Sequence, residues 1–117
     1  MRKILTEDNI AVALRPKITT YQSEILDEVM SAVAQNRIVV VGMRYNNSVR
    51  KARNNLTKAG VNFVYLEYGS YLQGWYKRLT LKMWTGFSTF PMIFIDQTLI
   101  GGNSELEALL KKRGNIA

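Results

Sequence analysis

The sequence predicts a single α/β domain in which a mixed, four-stranded β-sheet lies between helices. Residues 38–41 are all β-branched, which is typical of a strand that is buried on both faces of a sheet. A helical pattern joins this run to a second apolar run at 61–67, and two strands joined by a helix form a right-handed βαβ unit. Two later apolar runs, at 92–95 and 98–100, are separated by two polar residues, which indicates an antiparallel hairpin.

The N-terminal part of the chain lacks a clear period. We predict that residues 1–19 form an arm and that residues 20–117 form the domain. Within the arm, Ile10, Val12 and Leu14 alternate with small residues, which favours a short extended stretch. The proline that follows at position 16 favours an edge position for such a stretch.

The first two predicted helices flank the first strand. One covers residues 21–35 and begins after Thr20, a favourable N-cap. Its apolar face is predicted to consist of Ile25, Leu26, Val29, Met30 and Val33. The next covers residues 48–59 and ends at Gly60, because glycine readily adopts the left-handed conformation that terminates helices.

The last two predicted helices flank the hairpin. One covers residues 71–84, and the spacing of its apolar side chains predicts one inward face. That face is predicted to consist of Leu72, Trp75, Leu79 and Met83. The other helix covers residues 104–113. There we expect Ser104 to cap the helix and Glu107, three residues later, to complete a capping box.

Composition limits both the location and the chemistry of the protein. No apolar run approaches the roughly 20 residues that span a membrane. The N-terminal charges are not followed by a long apolar stretch, so no signal peptide is predicted and a cytoplasmic location is expected. The net charge of +7 favours anionic partners, although a solvated basic surface is the more common explanation of such a charge.

The chain contains no cysteine and no histidine. Disulfides, thiolate nucleophiles and thiolate metal sites are therefore excluded, and the histidine ligands of common zinc and haem sites are also missing. We expect no metal cofactor.

Two short motifs carry a family resemblance. Thr89-Phe90-Pro91, together with the apolar strand and Ile100-Gly101-Gly102 that follow, resembles the T-[VIF]-P … [IV]-G-G signature of glutaredoxins. The segment 81–87 is similar to the one that precedes the proline in monothiol glutaredoxins. The resemblance covers residues 38–113. It implies a thioredoxin-like fold, here with an extra N-terminal helix, and a cis peptide bond before Pro91.

The resemblance also locates a degenerate redox motif. The C-x-x-C or C-G-F-S motif of the family falls on Asn46, Asn47, Ser48 and Val49. Asn46 then replaces the nucleophilic cysteine, and glutathione-dependent disulfide exchange by this chain alone is not expected, because that exchange needs a thiolate. Asparagine is a good N-cap, so we expect Asn46 or Asn47 to cap the following helix.

A glutathione groove is implied by the same resemblance. In the family the ligand lies along the residue before the proline, which here places Phe90 and Pro91 beside it. Its carboxylates would meet Arg44, Arg78 and the backbone N–H groups of Gly102, Asn103 and Ser104. Without a covalent or metal link, we expect glutathione to bind in about the millimolar range or not at all.

Three functions remain open at this point. The first is a non-catalytic module that binds glutathione, a glutathionylated peptide or a protein partner. The second is a glutathione-linked oxidoreductase with a role in redox homeostasis, acting with a partner that supplies the cysteine. The third, a nucleic-acid-binding module, is less favoured, because aromatic side chains in amphipathic helices more often belong to the core than to a base-stacking platform. A monomer and a homodimer are equally compatible with the sequence.

Overall fold

A computed structural model describes residues 23–70 and 73–113, together with residues 3, 5, 7–9 and 11–14. The predicted N-cap Thr20, the predicted helix starts at residues 21 and 71, the predicted inward residue Leu72 and the predicted boundary between arm and domain lie outside the described residues. The described elements are a 3₁₀ turn (Glu7–Asn9), helices α1 (Ser23–Gln35), α2 (Asn47–Lys58), α3 (Trp75–Thr85) and α4 (Asn103–Arg113), and strands β1 (Ile38–Gly42), β2 (Val64–Glu67), β3 (Met92–Ile95) and β4 (Thr98–Gly101).

The four strands form one mixed sheet in the order β2-β1-β3-β4. Strand β1 is parallel to β2 and antiparallel to β3, and β3 pairs with β4 as an antiparallel hairpin. This arrangement confirms the predicted mixed sheet between helices. Strand β2 begins at Val64, three residues later than predicted.

Strand β1 is buried along its whole length because both faces of the sheet are covered. Val39 and Val41 pack on the side of α1 and α3, with Leu81 in the same cluster. Ile38 and Val40 pack on the side of α2 and α4, and the same cluster includes Ala52, Leu56 and Leu106. Successive side chains of β1 point to opposite faces of the sheet, so this strand contributes to the core on both faces.

The hairpin turns at Asp96 and Gln97, as predicted. Both residues adopt positive φ angles, 50° and 67°, which is the conformation that a two-residue turn with matching strand twist requires. The turn is attached to the start of β1, because the Asp96 N–H donates to the Arg37 carbonyl at 2.8 Å. The side chains of Arg37 and Asp96 also form an exposed ion pair at 3.3 Å.

The predicted inward face of the third helix is wrong. Trp75, Leu79 and Met83 are 64%, 46% and 70% exposed, whereas Leu81 is completely buried. The buried residues of this helix are Arg78, Thr80 and Leu81, which mark the face that meets the rest of the domain. Helix α3 carries apolar residues on more than one face, so spacing alone does not identify the face that meets the sheet.

Two smaller expectations are also corrected. Met30 is 51% exposed and does not join the buried face of α1, whereas Val29 on the same helix is fully buried. Residues 11–14 form a turn rather than an extended stretch, with the Leu14 N–H donating to the Ala11 carbonyl at 2.9 Å.

Candidate functional site

Close packing at the junction between β1 and α2 depends on a glycine. A Cβ at Gly42 would lie 2.7 Å from a methyl group of Val49 and 3.0 Å from the Tyr65 ring, so only glycine lets the first turn of α2 pack this closely on the strand. Val49 is correspondingly buried. The close packing fixes the N-terminal end of α2 beside the carboxyl end of β1.

Asn46 caps helix α2, as expected. Its backbone is extended (φ −102°, ψ 122°), and its Oδ1 accepts a hydrogen bond from the Val49 N–H at 2.9 Å. The preceding residue, Tyr45, has a positive φ of 64° and is 81% exposed. Asn46 is half-buried, and it lines a space that is also bounded by residues 87–91 and by the start of α4.

A groove of about 550 Å³ occupies this space. It brings together the following residues that were predicted for the site: Asn46, Ser48, Phe90, Pro91, Gly102, Asn103 and Ser104. The peptide bond between Phe90 and Pro91 is cis. The predicted motif residues Asn47 and Val49 lie outside the groove, in a neighbouring depression.

One wall of the groove is the first turn of α4. Gly102 lies so close to the hairpin that a Cβ would sit 3.3 Å from the Pro91 carbonyl oxygen. The Gly102 carbonyl accepts the Leu106 N–H at 3.0 Å, so the first turn of the helix closes on Gly102. The backbone N–H groups that follow it belong to the first helical turn, where no intrahelical partner exists and the helix dipole favours an anion.

The predicted capping box is therefore wrong. Helix α4 begins at Asn103, which places Ser104 inside the first turn rather than at the cap. Glu107 does not reach back to the start of the helix. Its carboxylate accepts a hydrogen bond from the Asn55 amide at 3.2 Å, and the same amide also donates to Asn103 at 3.1 Å. These contacts join α4 to α2.

Arg78 lies outside the groove. It is only 8% exposed, and its Nη1 donates to the carbonyls of Gln73 at 2.8 Å and Tyr68 at 3.3 Å, so its guanidinium holds the loop before α3. The cation that lines the groove from this helix is Lys82, one turn later. Its Nζ lies 5.8 Å from the centre of the Phe90 ring. Sequence reasoning missed Lys82, because the choice between the two positions depends on how the helix is rotated.

Arg44 also lies outside the groove. Its Nε is 3.3 Å from a carboxylate oxygen of Glu67, across the parallel strand pair. It lines a second depression of about 440 Å³, which we call the basic cleft. The basic cleft is defined by Arg44, Arg50, Arg53, Tyr65 and Glu67.

Two tyrosines have raised pKa values. Burial, followed by a hydrogen bond to Glu67 at 3.1 Å, raises the pKa of Tyr65 to about 12. Burial also raises the pKa of Tyr68, whose hydroxyl donates to the Glu28 carboxylate on α1. In both cases the hydrogen bond and the nearby carboxylate favour the neutral phenol over the phenolate.

The raised pKa values predict a loss of stability at alkaline pH. A phenol with a pKa near 10 when unfolded and about 12 in the folded state contributes stability below pH 10 that is lost as the pH rises toward 12. Urea unfolding at a series of pH values should show this decline, and Tyr65→Phe should make it shallower. An equally steep decline in the variant would contradict the assignment.

Within the described part of the chain, no cluster of acidic side chains is suited to holding a metal ion. None of the helices in that part has both the length and the apolar character needed to cross a membrane.

Comparison with known proteins supplies the family. No protein-family model matches the chain. The chain is 48% identical over 103 residues to a glutaredoxin-like protein of Dictyostelium discoideum, an alignment that covers 86% of this chain and 80% of that protein.

Solved glutaredoxin structures have the same fold. Wheat glutaredoxin superposes with a TM-score of 0.66 at 28% identity, covering 80% of this chain and 88% of that one. The complex of buckwheat glutaredoxin with glutathione superposes with a TM-score of 0.66 at 21% identity, covering 81% of this chain and 86% of that one. The mixed sheet, the flanking helices and the 48% identical relative together show that this cysteine-free chain belongs to the glutaredoxin family and has its thioredoxin-like fold.

Proposed function

We propose that this protein is a non-catalytic glutaredoxin that binds glutathione, or the glutathione moiety of a glutathionylated protein, in the groove beside Asn46. The observation that carries the proposal is the convergence of Phe90, Pro91, Gly102 and Ser104 on one groove of about 550 Å³. A glutathione complex of a glutaredoxin with the same fold supports the choice of ligand.

The groove offers partners for both ends of the tripeptide. The first turn of α4 suits a carboxylate, because its N–H groups and dipole favour an anion. Lys82, which lines the groove from α3, suits a second carboxylate. Phe90 also lines the groove, and its backbone suits the extended peptide of the ligand. In this proposal Lys82 takes the role that the sequence resemblance assigned to Arg78.

The proposed binding is reversible and does not depend on a thiol. Disulfide exchange needs an attacking thiolate, and this chain has no cysteine. The amide of Asn46 is neutral and already accepts the Val49 N–H. The module would therefore recognise glutathione on a partner without reducing it, and we expect no glutathione-dependent disulfide reduction above a buffer control.

The test is an NMR titration of the isotope-labelled protein with reduced glutathione. We expect shifts in the amide resonances of Gly102, Asn103 and Ser104, with a dissociation constant of about 1 mM. Lys82→Gln should weaken binding about twofold to fivefold, because one charged contact is lost. Lys77→Gln, on the same helix but outside the groove, is the matched control and should leave the dissociation constant unchanged.

A second ligand separates non-covalent binding from thiol chemistry. S-methylglutathione keeps both carboxylates but cannot exchange, so we expect it to bind as well as reduced glutathione. Loss of binding on methylation of the ligand would contradict the proposal. So would amide shifts confined to residues outside the groove, or an equal loss of affinity in Lys77→Gln and Lys82→Gln.

A further inference from the structure

The basic cleft adjoins the groove. Met43 and Asn46 line both depressions, so a chain that leaves the groove past Asn46 enters the basic cleft directly. At about 440 Å³, the cleft is large enough for one or two side chains of a bound segment. The two depressions therefore form a continuous surface on either side of the cap of α2.

The charges in the basic cleft are strongly unbalanced. Three arginines, Arg44, Arg50 and Arg53, face a single carboxylate, that of Glu67. Helix α2 carries two further basic residues, Lys51 and Lys58, and no acidic one. Cations near the N-terminal end of a helix are unfavourable with its dipole, so the helix's own stability does not account for their placement.

The arginines are held in place before any ligand arrives. The Arg53 guanidinium lies 3.9 Å from the centre of the Tyr65 ring. The Tyr65 hydroxyl donates to Glu67, and Glu67 also pairs with Arg44. Arg50 donates to the Asn47 side chain at 2.8 Å. A planar guanidinium that is already oriented loses less freedom when it binds a carboxylate in a forked geometry.

We propose that the basic cleft binds acidic residues that flank the glutathionylated cysteine of a protein partner. This inference rests on the function proposed above, which places the modified cysteine in the groove. The cleft favours a peptide over a nucleic acid, because Glu67 would repel a phosphate chain whose every unit is charged, whereas a peptide can place a neutral residue there. The cleft thus selects which glutathionylated proteins are bound.

The experiment compares labelled peptides by fluorescence anisotropy. Each peptide carries a central cysteine with two glutamates on either side, or with glutamines in their place. Each is prepared both S-glutathionylated and S-methylated. We expect the glutamate peptide to bind about tenfold more tightly than the glutamine peptide at low salt, and the advantage to shrink at high salt, because exposed charges are screened.

Variants of α2 locate the contact. The double variant Arg50→Gln/Arg53→Gln should remove most of the advantage of the glutamate peptide, and both positions are exposed, so the fold should tolerate it. Lys58→Gln, exposed at the far end of the same helix, removes a charge outside the cleft. It should leave at least about two-thirds of the advantage, since it changes only the long-range field.

The design distinguishes failure of the groove from failure of the cleft. If the groove does not bind glutathione, the S-methylated glutamate peptide should still bind better than its glutamine form and should still depend on the two arginines. Equal affinity for glutamate and glutamine peptides, or no binding of either, would contradict the proposal that the basic cleft binds acidic residues. So would tighter, arginine-dependent binding of a single-stranded RNA of equal charge, which would assign the cleft to nucleic acid instead.

Discussion

Leu81→Ala is expected to lower the free energy of unfolding by about 2–5 kcal/mol, the usual range for emptying a fully buried leucine site. Leu81 is completely buried and belongs to the cluster between α3 and the sheet. Leu79→Ala, two residues earlier on the same helix, removes the same atoms from a site that is 46% exposed. Its cost should be below about 1 kcal/mol, since less transfer free energy is lost and no cavity forms.

Urea unfolding followed by far-ultraviolet circular dichroism measures both values. The pair is informative because the sequence alone placed Leu79, not Leu81, on the inward face. Similar destabilisation by the two variants would show that α3 is rotated differently from the structure. A larger loss of unfolding free energy in Leu79→Ala than in Leu81→Ala would support the inward face that the spacing predicted.

Asn46→Cys is expected to create a reactive thiol. Its sulfur would take the place of the Asn46 Cγ, one bond short of the Oδ1 that now accepts the Val49 N–H, at the N-terminal end of α2 and close to Arg44 and Arg50. A helix N-terminus and nearby cations lower a thiol pKa from about 8.5 to a range of roughly 3.5–7.5. Alkylation at about pH 6 should therefore be at least tenfold faster than for an ordinary thiol, and oxidised glutathione should form a mixed disulfide with the variant.

Asn54→Cys is the matched control, since it makes the same substitution at an exposed position on the same helix, away from its N-terminal end. Adding Ser104→Asp to Asn46→Cys should strengthen glutathione capture by supplying a carboxylate for the ligand's ammonium group. Equal alkylation rates for the two cysteines across pH would show that position 46 does not correspond to the family's nucleophile.

Much of the candidate site could be predicted because it consists of backbone features encoded locally. Asn46 is a good N-cap wherever a helix follows it, and Gly102 permits the close approach to Pro91 whatever surrounds it. The identity of the cation that lines the groove could not be predicted in the same way. Arg78 and Lys82 are one turn apart on α3, and the carbonyls of Gln73 and Tyr68 that hold Arg78 belong to a loop whose path is set by the fold.

The sequence by itself determined that these 117 residues contain no thiol, because the absence of cysteine does not depend on the fold. It also determined β1 and the hairpin, since a β-branched run and a two-residue polar turn favour these structures locally. Only the tertiary structure decided which face of α3 is buried and which cation lines the groove. The reason is physical: α3 has apolar residues on several faces, and the buried face is selected by the volume and the hydrogen-bonding groups that the sheet and the neighbouring loop present to it.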